Sequence, residues 1–172
     1  QILEHSKLQN GNLKVADQDC SLFSILTESK QLFQLQAAEK GLLLNLVIRG
    51  SLPSVIRTDP LKLQQVVNNL VANAIKFTVA GSVNIYVETV TMEQVEYLDI
   101  RIIDSGIGIP QDEIRRIFDP FIQLKSNPDR TSGGAGLGLA ICRSLAEMLG
   151  AQLEVQSAVA TGSVFTLRLK IE

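Results

Sequence analysis

The side-chain pattern near the end of the chain is the strongest constraint on its fold. Successive residues of a β-strand point to opposite faces of a sheet, so alternation of apolar and polar side chains marks a strand with one buried face. Residues 163–171 show this alternation. The apolar members are Phe165, Leu167, Leu169 and Ile171, and the polar members are Thr166, Arg168 and Lys170. The chain therefore needs a sheet that other elements cover on one face.

Helices that can cover such a sheet are predicted from apolar spacing and end signals. One runs over 60–77, with Asp59 as its cap and Pro60 at its first position. The other predicted helices cover 1–9, 22–40, 111–118 and 137–149. The predicted strands are a buried one at 42–48 and two hairpins, formed by 83–89 with 97–103 and by 152–156 with 163–171. These elements predict an α+β fold, a two-layer α/β sandwich in which helices cover one face of a mixed sheet.

Length and composition exclude several classes of protein. The chain has 172 residues and a formal net charge of −2, which argues for one domain and against non-specific binding to nucleic acid. It contains no apolar run of about 18 residues, so no membrane span is predicted. Cys20 and Cys142 are interpreted as small buried thiols in a reducing compartment rather than a disulfide or a metal site. The single histidine, His5, excludes sites that need two histidines.

The helix predicted over 60–77 carries an unusual polar stripe. Gln65, Asn69, Asn73 and Lys76 follow one another at steps of four, four and three residues and fall on one face. An asparagine oxygen suits Mg²⁺ and a lysine ammonium suits a phosphate, although a solvated face with chance asparagines remains the alternative. The side chains expected to dock the helix are Val66, Val67, Leu70, Val71 and Ala74.

Two glycine-rich segments lie beside predicted elements. Asp104-Ser-Gly-Ile-Gly-Ile follows a strand, where bare backbone admits a ligand and Asp104 can accept a hydrogen bond from an exocyclic amine. Gly133-Gly-Ala-Gly-Leu-Gly-Leu opens a helix, whose free amide groups suit a phosphate. The alternatives are a tight turn for the first segment and a flexible loop for the second. The chain contains no P-loop motif.

Four segments in this order resemble the ATP-binding domain of histidine kinases, in the superfamily shared with gyrase, heat-shock chaperone and mismatch-repair ATPases. Asn-Leu-Val-Ala-Asn-Ala-Ile-Lys-Phe-Thr at 69–78 is similar to the N box, and 104–109 is similar to the first glycine box. Ile-Phe-Asp-Pro-Phe at 117–121 is similar to the F box, and 134–139 is similar to the second glycine box. The resemblance covers roughly residues 20–171. It implies a Bergerat-type ATP-binding fold that binds ATP and Mg²⁺.

The resemblance also implies a role for each matching residue. Asp104 would bind the adenine amino group, in a base pocket lined by Gly106 and Gly108. Asn73, with Asn69 nearby, would hold Mg²⁺. The remaining nucleotide contacts would come from Lys76 at the phosphates and Phe77 at the border of the nucleotide.

An ATP lid is implied over about 122–136. The hinge and cradle of this lid would come from Gly134, Gly136, Leu137 and Gly138. Arg130 would reach the γ-phosphate or remain solvated, and Phe118 and Phe121 would anchor the lid base.

Departures from the family pattern refine the implied activity. Asn69 stands where hydrolytic members carry a glutamate base, which favours phosphoryl transfer to a histidine over ATP hydrolysis. Gln123 replaces a frequent arginine, as in hybrid kinases, and Ala135 replaces a frequent threonine. A non-catalytic regulatory module acting by contact, or a serine kinase of the same fold, is the alternative function.

The domain organisation is also an expectation from the resemblance. Residues 1–12 would end a dimerisation helix and its linker, and 13–172 would form the catalytic domain. His5 is interpreted as a helix-surface residue, so the acceptor histidine would belong to a dimerisation domain outside this chain, and the fragment alone would not label itself. The implied parent is a homodimeric inner-membrane sensor that holds this soluble domain in the cytoplasm and passes phosphate to a receiver domain.

Overall fold

A computed structural model describes residues 14–122 and 136–171 of the chain. The described part contains seven strands and three helices. In chain order they are β1 (Gln18–Cys20), α1 (Leu22–Glu39), β2 (Leu43–Arg49), β3 (Ile56–Thr58), α2 (Pro60–Phe77), β4 (Ser82–Met92), β5 (Val95–Asp104), α3 (Gly138–Met148), β6 (Gln152–Ala158) and β7 (Gly162–Lys170). The predicted helix over 1–9 lies outside the described residues.

The main sheet is mixed, as predicted. Its five strands lie in the order β2-β4-β5-β7-β6, with β2 parallel to β4 and the other pairs antiparallel. Ile100 lies opposite Leu167, and Ile102 lies opposite Phe165, all four side chains being buried. The helices contribute the other half of the same core, through residues such as Leu22, Leu70 and Ile141. The fold is therefore the predicted α+β sandwich of helices on one face of a sheet.

The opposite face of the sheet carries an ion-pair network at its centre. Asp99 is fully buried there and accepts two hydrogen bonds from Arg168, both at 2.7 Å, and one from Arg101 at 3.0 Å. Arg101 also pairs with Glu88 at 2.8 Å. Burial alone would raise the pKa of Asp99, but the hydrogen bonds from the two arginines outweigh it and lower that pKa.

Helix starts and lengths follow the sequence signals closely. The Asp59 carboxylate caps α2 by accepting the backbone N–H of Lys62 at 3.1 Å. It also accepts the Lys62 ammonium at 2.5 Å and the backbone N–H of Ala16 at 2.9 Å, which ties the incoming chain to this helix. All five predicted docking side chains of α2 are buried. Neither cysteine is in a disulfide; Cys142 is fully buried and Cys20 partly so.

One predicted element is present with a different burial, and another is wrong. The strand predicted as buried over 42–48 is the edge strand β2, in which Leu44 is buried but Leu43, Val47 and Ile48 are exposed. Leu43 and Val47 point to the face of the sheet opposite Leu44, away from the core. The helix predicted over 111–118 is instead a series of turns. Its hydrogen bonds, such as Glu113 N–H to Pro110 O at 3.0 Å, mostly span three residues, which does not propagate an α-helix.

A small sheet was missed by the sequence reasoning. Strands β1 and β3 pair antiparallel, with Gln18 opposite Thr58 and Cys20 opposite Ile56. Three-residue strands are too short to show a period of two. Within residues 14–122 and 136–171, no helix is both long and apolar enough to cross a membrane.

Candidate functional site

Asp104 ends the central strand β5 and places a buried carboxylate at the edge of the glycine loop. Its side chain is nearly covered, since the residue is 8% exposed. One carboxylate oxygen accepts the backbone N–H of Gly106 at 2.8 Å, and the backbone N–H of Ser163 also donates to the carboxylate. Burial raises the pKa of Asp104, while these two hydrogen bonds act against the rise. The carboxyl group is thus fixed in place with acceptor capacity left for a ligand.

The glycine loop after Asp104 lies flat against two other parts of the molecule. A Cβ at Gly106 would stand 2.6 Å from the carbonyl oxygen of Phe77, at the end of α2. Gly108 has a φ of +71°, and a Cβ there would overlap the carbonyl oxygen of Ala158. Ile107 donates its N–H to the Phe77 carbonyl at 3.3 Å. These glycines are therefore required by close backbone approach, which excludes an ordinary tight turn as the whole explanation.

The polar stripe of α2 faces the start of α3. Gln65, Asn69, Asn73 and Lys76 are all half-buried rather than solvated. The Asn73 amide nitrogen would lie 3.8 Å from a Cβ at Gly138, the first residue of α3. Burial raises the pKa of the Cys142 thiol in α3, and an interaction with the Asn69 side chain acts against that rise. The structure therefore brings the two predicted magnesium residues beside α3, the helix that begins at Gly138 of the second glycine segment.

Within the part of the chain that the structure describes, α3 begins without a side-chain cap. Its capping position is Leu137, which makes no side-chain capping hydrogen bond, and the first amide groups of a helix are donors that suit an anion. The Leu137 side chain is fully buried, so only its backbone is available to a nucleotide. This geometry suits a phosphate cradle, because the helix dipole and the first amides act on a negative group together.

The two ends of the predicted lid are joined by a hydrogen bond. Phe121 donates its backbone N–H to the carbonyl oxygen of Gly136 at 3.0 Å. Gly136 has a φ of +68°, and a Cβ there would stand 2.8 Å from the carbonyl oxygen of Ile122. The lid residues singled out between these ends lie outside the described residues. They are Gln123, Arg130, Gly134 and Ala135.

Two phenylalanines were predicted to anchor the lid base. Phe118 is half-buried and packs edge-on against Phe165, with ring centroids 6.4 Å apart, as expected for an anchor. Phe121 is 67% exposed, and the anchoring role of its ring stays a prediction. It has a positive φ of 63°, and its backbone N–H joins the two ends of the lid.

Phe77 and Lys76 lie at the rim of the cleft. Phe77 is 37% exposed, which is unusual for a phenylalanine at the end of a core helix. The Lys76 ammonium lies 5.1 Å from the centroid of the Phe77 ring, within cation–π range. An exposed ring beside a cation is suited to border a nucleotide.

Two supporting residues were missed by the sequence reasoning. The Lys40 ammonium donates hydrogen bonds to the carbonyl oxygens of Ile75 at 2.6 Å and Lys76 at 3.0 Å. A cation therefore provides hydrogen bonds to carbonyl groups in the last turn of α2, the helix that carries the polar stripe. Ser157 in β6 accepts the backbone N–H of Ile109 and so holds the glycine loop. Neither lies in a recognisable motif, and only the folded chain brings them to the site.

The donor set at the cleft fits Mg²⁺. Across the residues that the structure describes, no group of three or more His, Cys, Asp or Glu is placed to hold a metal ion. The stripe carries three amide oxygens, from Gln65, Asn69 and Asn73, which are neutral hard ligands, and the last two are the predicted magnesium ligands. Mg²⁺ keeps several waters and commonly takes few protein ligands together with substrate phosphates. A site of this kind is consistent with the residues present.

Comparison with known proteins agrees with this geometry. Residues 58–172 match the family model described as histidine kinase-, DNA gyrase B-, and HSP90-like ATPase. The chain is 36% identical over 170 residues to the sensor histidine kinase RcsC of Escherichia coli, covering 99% of this chain and 18% of that protein. It is 35% identical over 173 residues to the autoinducer 2 sensor kinase/phosphatase LuxQ of Vibrio cholerae, covering 99% of this chain and 20% of that protein.

A solved structure leads to the same family. The crystal structure of full-length ShkA in complex with AMPPNP superposes with a TM-score of 0.86 at 26% identity, covering 99% of this chain and 34% of that one. The chain thus spans about a fifth of the length of the curated relatives, 18% and 20% of the two named. Because the family model matches most of the chain, the chain belongs to the family of histidine kinase-, DNA gyrase B- and HSP90-like ATPases.

Proposed function

We propose that this chain binds ATP with Mg²⁺ and transfers the γ-phosphoryl group to a histidine of a dimerisation domain. One observation carries the proposal: the buried carboxylate of Asp104 and its glycine loop lie against the C-terminal end of α2, and the Asn73 side chain of that helix lies beside the first residue of α3. Similarity to sensor histidine kinases and to a protein solved with AMPPNP supports it.

The adenine end of the nucleotide would lie at Asp104. The carboxylate accepts the hydrogen bonds of Gly106 and Ser163 and would accept a further one from the exocyclic amine of adenine. Gly106 and Gly108 keep the pocket floor free of side chains. The exposed ring of Phe77 would border the nucleotide on its way to the phosphates.

The phosphate end would lie between α2 and α3. Asn73 and Asn69 would hold Mg²⁺, which when bound neutralises phosphate charge and supports the leaving group. Lys76 and the backbone amides that begin α3, from Gly138, would orient the phosphates from two sides. Leu137 would contribute its backbone alone, and Gly136 would fix the end of the lid. Arg130 and Gly134 would add contacts from within the lid.

The transfer itself needs no base from this chain. A neutral imidazole nitrogen of the acceptor would attack the γ-phosphorus, so that a nitrogen–phosphorus bond forms while the bond to the bridging oxygen breaks and ADP leaves, and the proton on the other ring nitrogen would pass to solvent. The family's hydrolytic glutamate position holds Asn69, which is a poor base for activating water. The site therefore favours phosphoryl transfer over hydrolysis.

The surrounding organisation is part of the proposal. Residues 13–172 would be the catalytic domain and 1–12 the end of a dimerisation helix. The parent would be a homodimeric, membrane-anchored hybrid kinase with this domain on the cytoplasmic side. Its partners would be its own phosphoacceptor domain and a receiver domain downstream.

A two-stage experiment tests the proposal. Titration of the chain with AMPPNP should show tight binding that strengthens when Mg²⁺ is added. The chain with labelled ATP should then label an added dimerisation domain from a related kinase at a histidine, giving an acid-labile phosphate, and Asn73→Ala should abolish the transfer. Binding without any transfer would favour the regulatory module, and an acid-stable phosphate on serine would favour the serine kinase. Acid-labile labelling of this chain alone would contradict the assignment of the acceptor to another domain.

A further inference from the structure

The hydroxyl group of Ser157 joins the glycine loop to the β6–β7 hairpin. It accepts the backbone N–H of Ile109 at 2.8 Å and donates to the carbonyl oxygen of Gly162 at 2.8 Å. The Ser163 hydroxyl lies 2.9 Å away and can donate to the same oxygen. A serine hydroxyl offers one donor and two acceptor positions, so all of its capacity is used.

The same row of residues leads across the sheet to Asp104. Ser157 lies opposite Ser163 in the β6–β7 pair, and Ser163 lies opposite Asp104 in the β5–β7 pair. The backbone N–H of Ser163 donates to the Asp104 carboxylate. Ser157 therefore contacts the glycine loop directly and is connected to β5, which holds the carboxylate, through Ser163 of β7.

Further contacts make this attachment close. Ala160 donates its N–H to the carbonyl oxygen of Ile107 at 2.8 Å. Gln111 donates its side-chain N–H to the backbone oxygen of Ser157 at 2.7 Å. A Cβ at Gly162 would overlap the carbonyl oxygen of Asp104. The hairpin and the segment 104–111 are thus in backbone contact, and the side chains of Ser157 and Gln111 add hydrogen bonds between them.

We propose that Ser157 is a positioning residue that determines how strictly the pocket selects a 6-aminopurine nucleotide over a 6-oxopurine nucleotide. This inference rests on the proposed function, in which the Asp104 carboxylate faces position 6 of the base. A carboxylate accepts a hydrogen bond from an amine but repels a carbonyl oxygen at the same place. Selection by such a group depends on its exact placement against the base, since hydrogen bonds weaken steeply with distance and angle.

Affinities for ATP and ITP test the inference, because ITP carries a carbonyl oxygen in place of the 6-amino group and a proton on the neighbouring N1. Wild-type protein should prefer ATP by about 10–100-fold, the value of one hydrogen bond to a charged group. Ser157→Ala should reduce this ratio by roughly tenfold, and Ser157→Thr, which keeps the hydroxyl, should restore it. Ser21→Ala removes the cap of α1, far from the pocket, and should leave the ratio unchanged while lowering stability.

The outcomes separate the inference from the function on which it rests. If the wild-type protein binds neither nucleotide, or binds both with equal affinity, the result would contradict the base pocket of the proposed function. A wild-type preference that persists in Ser157→Ala would overturn the inference alone. If Ser157→Ala does not fold, Ser157→Cys provides the same test, because sulfur of similar size is a weak hydrogen-bond acceptor. An unchanged ratio in that variant would equally overturn the inference.

Discussion

The Asn69 side chain of α2 interacts with the buried thiol of Cys142 in α3. The thiol donates a hydrogen bond to the carbonyl oxygen of Val66 in α2 at 3.8 Å. Burial raises the pKa of Cys142 to about 12 and outweighs the opposing effect of Asn69, so the thiol stays protonated and keeps this donor role at neutral pH. The thiol therefore links α3 to the part of α2 that carries Asn69.

Cys142→Ala should therefore weaken the magnesium-dependent part of nucleotide binding. Loss of a group that orients a metal ligand commonly costs tenfold or more in metal affinity, so we expect the gain in AMPPNP affinity on adding Mg²⁺ to fall by roughly tenfold. Cys142→Ser, which keeps a donor and an acceptor, should retain most of the gain. Ile141→Val removes a methylene-sized volume from the same buried helix and should change stability but not the Mg²⁺ response. Equal Mg²⁺ responses in all variants would contradict this role.

Asp104→Asn should separate ligand binding from stability. Burial raises the pKa of Asp104, which means that the surroundings disfavour its charged form. A neutral amide of the same shape should therefore not lower the melting temperature. ATP affinity should fall by about 10–100-fold, because a charged hydrogen-bond acceptor for the amine is lost. Calorimetric titration and a thermal melt on the same sample provide the test. A large loss of stability with unchanged ATP affinity would show that Asp104 is structural.

Parts of this site follow from local sequence, and parts depend on strand pairing. Helix α2 was predictable because Asp59, Pro60 and the period of its apolar residues agree with one another. Asp104 was predictable because it ends a strand and precedes glycines. The exposure of β2 could not be predicted, since an unbroken apolar run does not show which strand lies at a sheet edge. The contacts of Ser157 could not be predicted either, because they exist only once β5, β7 and β6 align in register.

Substitution by alanine should lower mainly the stability at one glycine of the site, Gly108, and mainly the ATP affinity at another, Gly138. Gly108→Ala should lower the free energy of unfolding by about 2–4 kcal/mol, because its positive φ and the contact with Ala158 both disfavour a side chain. Gly138→Ala should change that energy by less than about 1 kcal/mol, because the nearest atom to its Cβ is the Asn73 amide nitrogen at 3.8 Å. The added methyl would narrow the phosphate side of the cleft, so ATP affinity should fall by roughly tenfold. Denaturant unfolding and nucleotide titration separate the two effects, and equal loss of stability would contradict the assignment.

The buried Asp99 should make stability depend on acidic pH. Its folded-state pKa is lowered by the hydrogen bonds from Arg168 and Arg101, against the effect of burial. A group of this kind contributes stability that is present above its unfolded pKa of about 3.9 and is lost as pH falls through the folded pKa. Asp59, whose pKa is lowered by Lys62 and Ala16 despite its burial, acts in the same direction, and Asp104, whose pKa is raised, acts in the opposite one.

Asp99→Asn should remove its share of this dependence. We expect the free energy of unfolding at neutral pH to fall by about 2–3 kcal/mol, because two arginines lose a buried charged partner. Below about pH 4 the difference from wild type should shrink, because protonation abolishes the same ion pairs in the wild-type protein. Glu147→Gln is the matched control, since it removes a carboxylate from an exposed pair with Arg143 at 3.3 Å, and such pairs contribute little. Denaturant unfolding between pH 2 and pH 7 measures all three proteins. A gap between wild type and Asp99→Asn that stays constant down to pH 2 would show that the network contributes by packing rather than by charge.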